Sequence, residues 1–384
     1  MTKRWRNKAD RIKKERGAIP LGQIIFAFMS LFALALVIRN SDVAIKYMGE
    51  GLRLCARTVI PSLFPFMVIS DLVVKSGAVS IIGKRFNRPI KALFGIGGDG
   101  GCAVLLGFLC GFPVGARAAV SMYERGKLSR SELERILTFS NVPSSAFIIN
   151  AVGISLFGSR SFGVALYVFI LLSALITGLL QNLIFKAKAK KGKKYDEYIQ
   201  NTFPKENHTS ISISELTSSI SDSATGMLKV CAFVVFFNAF VGILGSACES
   251  LALPEYARAA LFGVFELTGG ISAAAALPSA HSAATLAALV SGWSGLSVHF
   301  QIMSLCPEGE ISFKPYFAAK LFQGILCAAL MSLYFRLASP SLTLRSDGIS
   351  AYAPHGVIPA FVLPICIIFC AAVLKKLLTK KDRL

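Results

Sequence analysis

Ten apolar stretches dominate the chain, and they severely limit the folds open to it. They are residues 19–38, 59–74, 93–116, 136–158, 161–185, 226–248, 256–277, 281–304, 315–338 and 357–374. Hydrophobic residues make up 54% of the 384 residues and charged residues only 16%, a composition typical of polytopic membrane proteins. Because backbone polar groups in lipid must be satisfied within the segment, these stretches are predicted to be spanning or re-entrant helices. The sequence therefore predicts an all-α polytopic membrane protein.

An apolar stripe of helical spacing occurs twice, 168 residues apart. The first copy consists of Ile45, Met48, Leu52, Ala56 and Val59, and the second of Ile213, Leu216, Ile220, Ala224 and Met227. Each stripe runs into a long apolar segment, and a polar residue interrupts both segments at the same depth, Ser70 in the first and Asn238 in the second. A repeat of this kind in a membrane protein favours a transporter built from two related halves.

The positive charge is concentrated in three places. Residues 1–16, 186–205 and 375–383 together hold 20 of the 41 lysines and arginines, and the formal net charge is +20. In a soluble protein this charge would point to nucleic acid, but here it follows the positive-inside rule. All three segments are predicted to be cytoplasmic, and nucleic acid is not an expected partner. The apolar stretch 19–38, which follows the first basic segment, is predicted to be a retained membrane anchor, because it lacks a signal-peptide cleavage site.

This orientation predicts two halves of opposite topology. Each half has three crossings and one re-entrant hairpin, formed by 93–116 in the first half and 256–277 in the second. An odd number of crossings makes the two halves inverted, an arrangement associated with alternating access. The predicted units are a basic tail (1–18), a first transmembrane helix (19–42), repeat 1 (43–185), a basic linker (186–210), repeat 2 (211–338), and a final transmembrane helix with its basic tail (339–384).

Helix-breaking and polar residues within the apolar stretches of the first half indicate a binding site. Pro113 and Pro143 each remove a backbone donor, so helix ends are predicted within the membrane, where irregular backbone must line a cavity or be buried in protein. Helix N-termini in such a place attract anions. The predicted solute-binding residues here are Gly111, Pro113, Gly115, Asn141, Ser144 and Ser145. Arg117 is predicted to lie at the cytoplasmic mouth. Each proline taken alone is equally well explained as a kink sealed by neighbouring helices.

The second half adds residues of different chemistry. Trp293 and Ser294 are predicted to complete the solute site. Glu266 and His299 are candidates for coupling to a proton or sodium, since an ionisable residue within a membrane is costly. The alternatives are a neutral, hydrogen-bonded Glu266 and a structural histidine. The nine scattered cysteines form no C-x-x-C pair, and no metal, cofactor or catalytic site is predicted.

Several of these motifs together resemble a known family. They are Pro61–Phe66 with Ser70, Asp71 and Gly77, then Gly111–Arg117, Phe139–Asn141 with Phe147 and Ile148, Glu266–Thr268, and Trp293–His299. In combination they resemble the YlbJ (SpoVV) type of sporulation integral membrane proteins, of the nucleoside-recognition or Gate domain group. The resemblance covers roughly residues 20 to 375. It implies passage of dipicolinic acid across the outer forespore membrane of an endospore-forming bacterium.

From the residues alone, the expected function is alternating-access transport of a small organic anion. The resemblance implies that this anion is dipicolinate. The lipid bilayer is the expected environment of the protein. Two alternatives stay open: an ion-coupled transporter of nucleoside-like solutes, and a non-transporting membrane scaffold for spore assembly. An enzyme is not expected, because no dense constellation of acid, histidine or serine residues occurs. Whether the protein forms a homodimer is left open.

Overall fold

The computed structural model describes residues 21–77, 87–190 and 213–338, and this part of the chain is helical with no strand. In chain order the first helices are α1 (Leu21–Arg39), α2 (Ser41–Leu54), a π-helical turn (Cys55–Val59), α3 (Ile60–Lys75), α4 (Asn87–Phe94), α5 (Gly98–Cys110), α6 (Val114–Glu124) and α7 (Arg130–Ser140). A π-helix (Phe147–Leu156) and α8 (Arg160–Lys190) follow. The remaining helices are α9 (Ile213–Ser250), α10 (Glu255–Phe265), α11 (Leu267–Ala275), α12 (Ala280–Trp293), α13 (Gly295–Leu305) and α14 (Lys314–Ala338). The prediction of an all-α polytopic membrane protein is confirmed.

Among the described residues, four helical segments are long and apolar enough to cross a membrane: Arg160–Ala187, Ile213–Glu249, Ala280–Leu305 and Lys314–Ala338. A fifth span is obtained if α4 and α5, which are bent by 78° against each other, count as one. These numbers are lower than the ten predicted stretches, because interruptions divide several stretches into helices shorter than a bilayer. The last predicted stretch, 357–374, lies outside the described residues, as do the basic segments 1–16 and 375–383 and most of 186–205.

The two halves contain a corresponding order of elements. The first has a long helix (α2, the π-helical turn and α3), a hairpin (α5 and α6), an interrupted helix (α7 and the π-helix) and a long helix (α8). The second has α9, the hairpin of α10 and α11, the interrupted helix of α12 and α13, and α14. The inverted relation of the halves stays a prediction.

Local sequence signals explain where several helices begin. The Ser129 side chain accepts a hydrogen bond from the Glu132 backbone N–H, and the Glu132 carboxylate accepts one from the Ser129 N–H, a capping box that starts α7. Ser279 accepts from the Ser282 N–H at the start of α12. These caps fix the residue at which each interrupted helix begins.

The long helices pair across the halves. α9 packs on α2 and α3, and α14 packs on α8 and most extensively on α12. Many large apolar side chains on the outer faces are exposed, including Phe28 (71%), Leu228 (71%) and Leu337 (79%). Such exposure is costly in water but matches the hydrocarbon of a bilayer.

Candidate functional site

The hairpin of the first half turns at Gly111, Phe112 and Pro113. Gly111 adopts φ +76°, a conformation that favours glycine, and it ends α5. The Phe112–Pro113 peptide is cis, and Pro113 precedes the first residue of α6. Gly115 is buried in that helix, and a Cβ there would lie 2.3 Å from Gly107 Cα, so this glycine lets the two arms approach closely.

The hairpin turn touches the interruption of the next helix. The Phe112 N–H donates to the Val142 carbonyl over 2.9 Å, and a Cβ on Gly111 would lie 2.4 Å from the Ser144 nitrogen. The Ser144 hydroxyl accepts a hydrogen bond from the Phe147 N–H at 3.3 Å and so caps the short helical turn that leads into the π-helix. Two separate sequence motifs of the first half, the Gly-Phe-Pro turn and the Asn-Val-Pro-Ser break, therefore form one unit.

The second half brings its two interruptions together in a comparable way. α10 ends and α11 begins at Glu266, while α12 ends at Ser294, which has φ +80°. A Cβ on the following Gly295 would lie 3.0 Å from the Leu267 nitrogen. The Trp293 Nε1–H donates to the Val264 carbonyl over 3.2 Å, which ties the second break to the hairpin.

Glu266 has a structural task in addition to the coupling role predicted for it. Its carboxylate accepts a hydrogen bond of 2.6 Å from the Gly269 N–H, and the residue is only 5% exposed. A carboxylate at a helix N-terminus is stabilised by the free N–H groups and by the helix dipole. The cap accounts for the burial of Glu266, and its coupling role stays a prediction.

His299 lies in an aromatic surrounding on α13. Its Nδ1 forms a 2.8 Å hydrogen bond with the Tyr316 hydroxyl, and its ring contacts those of Trp293 and Phe317 with centroids 4.4 and 5.1 Å away. Its Nε2 is buried and has no partner within the described part of the chain. The geometry therefore leaves one ring nitrogen available for a ligand or a proton.

Lys320 is a residue of the candidate site that none of the sequence motifs indicated. It lies in α14, inside the predicted stretch 315–338, and it is fully buried. Its Nζ donates to the Asn141 carbonyl at 2.7 Å and to Gln323 Oε1 at 2.9 Å. Its signal in the sequence is a lysine one helical turn before a glutamine within a transmembrane stretch, where an ionisable residue is costly. Lys320 joins the last helix of the second half to the helix break of the first.

Some of the buried polar atoms that have no hydrogen-bond partner lie on these elements, and others lie elsewhere in the described structure. Within the described residues they include Asn141 Oδ1, Ser291 Oγ, His299 Nε2 and Gln323 Nε2. The Asn141 Nδ2 is occupied, since it donates to the Leu137 carbonyl over 2.8 Å. Buried polar groups normally have partners. These atoms are therefore available to hydrogen-bond with a polar ligand or with water.

The other predicted site residues lie nearby along the chain but have different contacts. Arg117 lies one turn after Pro113, and its guanidinium packs against Gly226 of α9. Ser145 lies within hydrogen-bonding reach of the Tyr167 hydroxyl, which donates to the Phe108 carbonyl. The solute-binding role predicted for Ser145 and the position at the cytoplasmic mouth predicted for Arg117 both stay predictions.

The interrupted helices and outward apolar faces define an all-α, multi-pass integral membrane protein. The chain is similar to the sporulation integral membrane protein YlbJ of Bacillus subtilis (strain 168), with 26% identity over 347 residues, covering 82% of this chain and 83% of YlbJ. This similarity confirms the resemblance to the YlbJ-type proteins that the motifs indicated, while the assignment to the Gate domain group stays a prediction. No protein-family model matches the chain, and no solved structure matches it.

Proposed function

We propose that this protein transports a small organic anion across the membrane, and that the anion is dipicolinate during endospore formation. The observation that carries the proposal is the contact between two helix interruptions in each half, at Gly111 with Ser144 and at Gly295 with Leu267. Irregular backbone at membrane depth is tolerated where it lines a cavity or is buried in protein, and in transporters such breaks form the solute site.

The chemistry of these breaks suits an anion with an apolar ring. Ser144 and Asn141 offer neutral hydrogen-bonding groups, while Phe112 and Phe147 pack, partly buried, against the apolar cluster that contains Val142 and Leu267. A planar dicarboxylate needs donors at its ends and an apolar face between them. The YlbJ resemblance supplies the sporulation setting and the outer forespore membrane as the proposed location.

Transport by the purified protein in liposomes tests the proposal directly. We expect the protein to carry labelled dipicolinate into vesicles, and Asn141→Ala and Ser144→Ala each to weaken solute affinity by about 1–3 kcal/mol, the cost of leaving a buried polar group unpaired. Asn150→Ala and Ser155→Ala are matched controls, because both residues are exposed on the nearby π-helix. Both controls should transport like the unaltered protein.

Two results would count against the proposal. Vesicles that contain correctly inserted protein but take up no dipicolinate would favour the scaffold alternative. Normal transport by both alanine variants, together with loss of transport in Arg117→Gln, would move the site to the mouth. We expect Arg117→Gln to matter less, because a charge at the mouth mainly steers approach and is screened by salt.

A further inference from the structure

Lys320 places a positive group inside the protein without an acidic partner. Its side chain is fully buried in the second turn of α14, six residues after the helix begins, and its two hydrogen-bond acceptors, the Asn141 carbonyl and Gln323 Oε1, are both neutral. None of the ion pairs among the described residues involves Lys320. A charge removed from water is costly unless an opposite charge compensates it. A bound anion would therefore stabilise the buried ammonium of Lys320 by supplying the opposite charge.

The groups beside Lys320 are arranged to complete an anion site. Gln323 turns its oxygen to the ammonium, so its Nε2, a donor, is buried without a partner in the described structure. An ammonium group has three N–H donors, and the two bonds to neutral acceptors leave one. His299 bonds to the hydroxyl of Tyr316, one helical turn before Lys320 on α14, and the His299 Nε2 is also unpartnered within the described residues.

We propose that Lys320 binds a carboxylate of the transported solute. One carboxylate oxygen accepts the third N–H of the Lys320 ammonium, and the other accepts the Nε2–H of Gln323. A carboxylate has two oxygens and one negative charge, which this pair of donors and single positive charge match. The inference rests on the proposed transport of an organic anion and names the chemical group that the protein recognises.

The position of Lys320 also connects binding to the helix breaks. The ammonium that receives the carboxylate holds the Asn141 carbonyl, 179 residues away in sequence, at the break between α7 and the π-helix. α14 also packs against α12, where a Cβ on Gly292 would lie 2.7 Å from Gly324 Cα. A bound carboxylate therefore contacts a residue that joins both halves, as a solute must do in an alternating-access cycle.

Binding to the purified, reconstituted full-length protein tests this assignment. The probes are dipicolinate, picolinate with a single carboxylate, and the neutral picolinamide. We expect Lys320→Met and Lys320→Gln to weaken binding of both carboxylates by about 10-fold or more, the effect of losing a hydrogen bond to a charged group. Lys320→Arg, which keeps the charge, should retain more binding than either, and the unaltered protein should bind picolinamide poorly. Lys314→Met, at an exposed lysine of the same helix, should bind normally.

The variants separate a charge role from a structural one. Glutamine at position 320 can still donate to the Asn141 carbonyl. If Lys320→Gln binds dipicolinate with the same affinity as the unaltered protein, the inference is overturned and the role of Lys320 is structural. Should every change at position 320 prevent insertion, Gln323→Met, which leaves the lysine in place, decides the matter: unchanged carboxylate binding would overturn the inference. If the unaltered protein binds neither carboxylate, the proposed function itself fails.

Discussion

Gly111 is the residue at which the two interruptions of the first half come closest. Its φ of +76° suits glycine, and an added Cβ would lie 2.4 Å from the Ser144 nitrogen and 2.7 Å from its Cα. Both neighbours are backbone atoms, which cannot move aside as a flexible side chain can. The conformation and the contact therefore both require glycine at this position.

We expect Gly111→Ala to lower stability by more than the roughly 1–3 kcal/mol typical of a strained backbone residue, and to impair transport. Gly158→Ala is the matched control, because Gly158 has φ +62° but nothing within 4 Å of its added Cβ. It should show only the conformational cost and transport normally. Thermal unfolding of both variants in detergent measures the difference, and equal melting temperatures would show that contact with Ser144 is unimportant.

Glu266 combines a structural cap with a predicted coupling role, and one substitution separates them. Glutamine retains an oxygen that can accept the Gly269 N–H, so Glu266→Gln should fold and insert, losing about 0.3–1 kcal/mol of charge–dipole stabilisation. It should nevertheless abolish or uncouple transport. Glu255→Gln, at an exposed residue in the first turn of α10, is the control. Uptake by Glu266→Gln that is unchanged between about pH 5 and pH 8 would leave Glu266 as a cap alone.

At the scale of elements, the pairing of α12 with α14 depends on small residues. A Cβ on Gly292 would lie 2.7 Å from Gly324 Cα and 3.0 Å from the Gln323 carbonyl oxygen. Close backbone approach through small residues is a common way for helices to associate in membranes. The same contact places Lys320 and Gln323 of α14 beside the interrupted helix of the second half.

Gly292→Ala should lower the melting temperature, even though alanine favours helix over glycine by about 1 kcal/mol. The reason is that the added methyl group separates α12 from α14. Gly49→Ala is the control: Gly49 lies in α2 with nothing within 4 Å of an added Cβ, so this change should leave stability equal or higher. A stabilised Gly292→Ala protein would mean that the two helices can move apart without cost.

At the scale of the whole molecule, the distribution of positive charge predicts the orientation in the membrane. A single cysteine introduced at Asn207, in the linker outside the described residues, should react with an impermeant reagent only after the cells are opened, because the basic segments are predicted to be cytoplasmic. Ala252→Cys, in the exposed turn between α9 and α10, should react in intact cells. Labelling of position 207 from outside would refute the orientation.

The class of the protein and the places where its helices break could both be predicted from local features of the sequence. Apolar length and composition are sufficient for an all-α membrane protein, since lipid leaves the backbone few alternatives. The breaks at Pro113 and near Pro143 are also local, because a proline has no N–H and restricts the residue before it. Glu266 stood out for a similar reason, as an ionisable residue within an apolar stretch.

Which helix breaks meet, and which residues surround them, depends on how the helices pack in the folded protein. Gly111 touches Ser144, and Lys320 reaches the Asn141 carbonyl from a helix 179 residues further along the chain. Periodicity shows at most which face of a helix is apolar; it does not specify the helix that packs against that face or the direction in which a carbonyl freed by a break points. The long-range bonds of Lys320 arise from packing, so its burial and its partners could be seen only in the folded molecule.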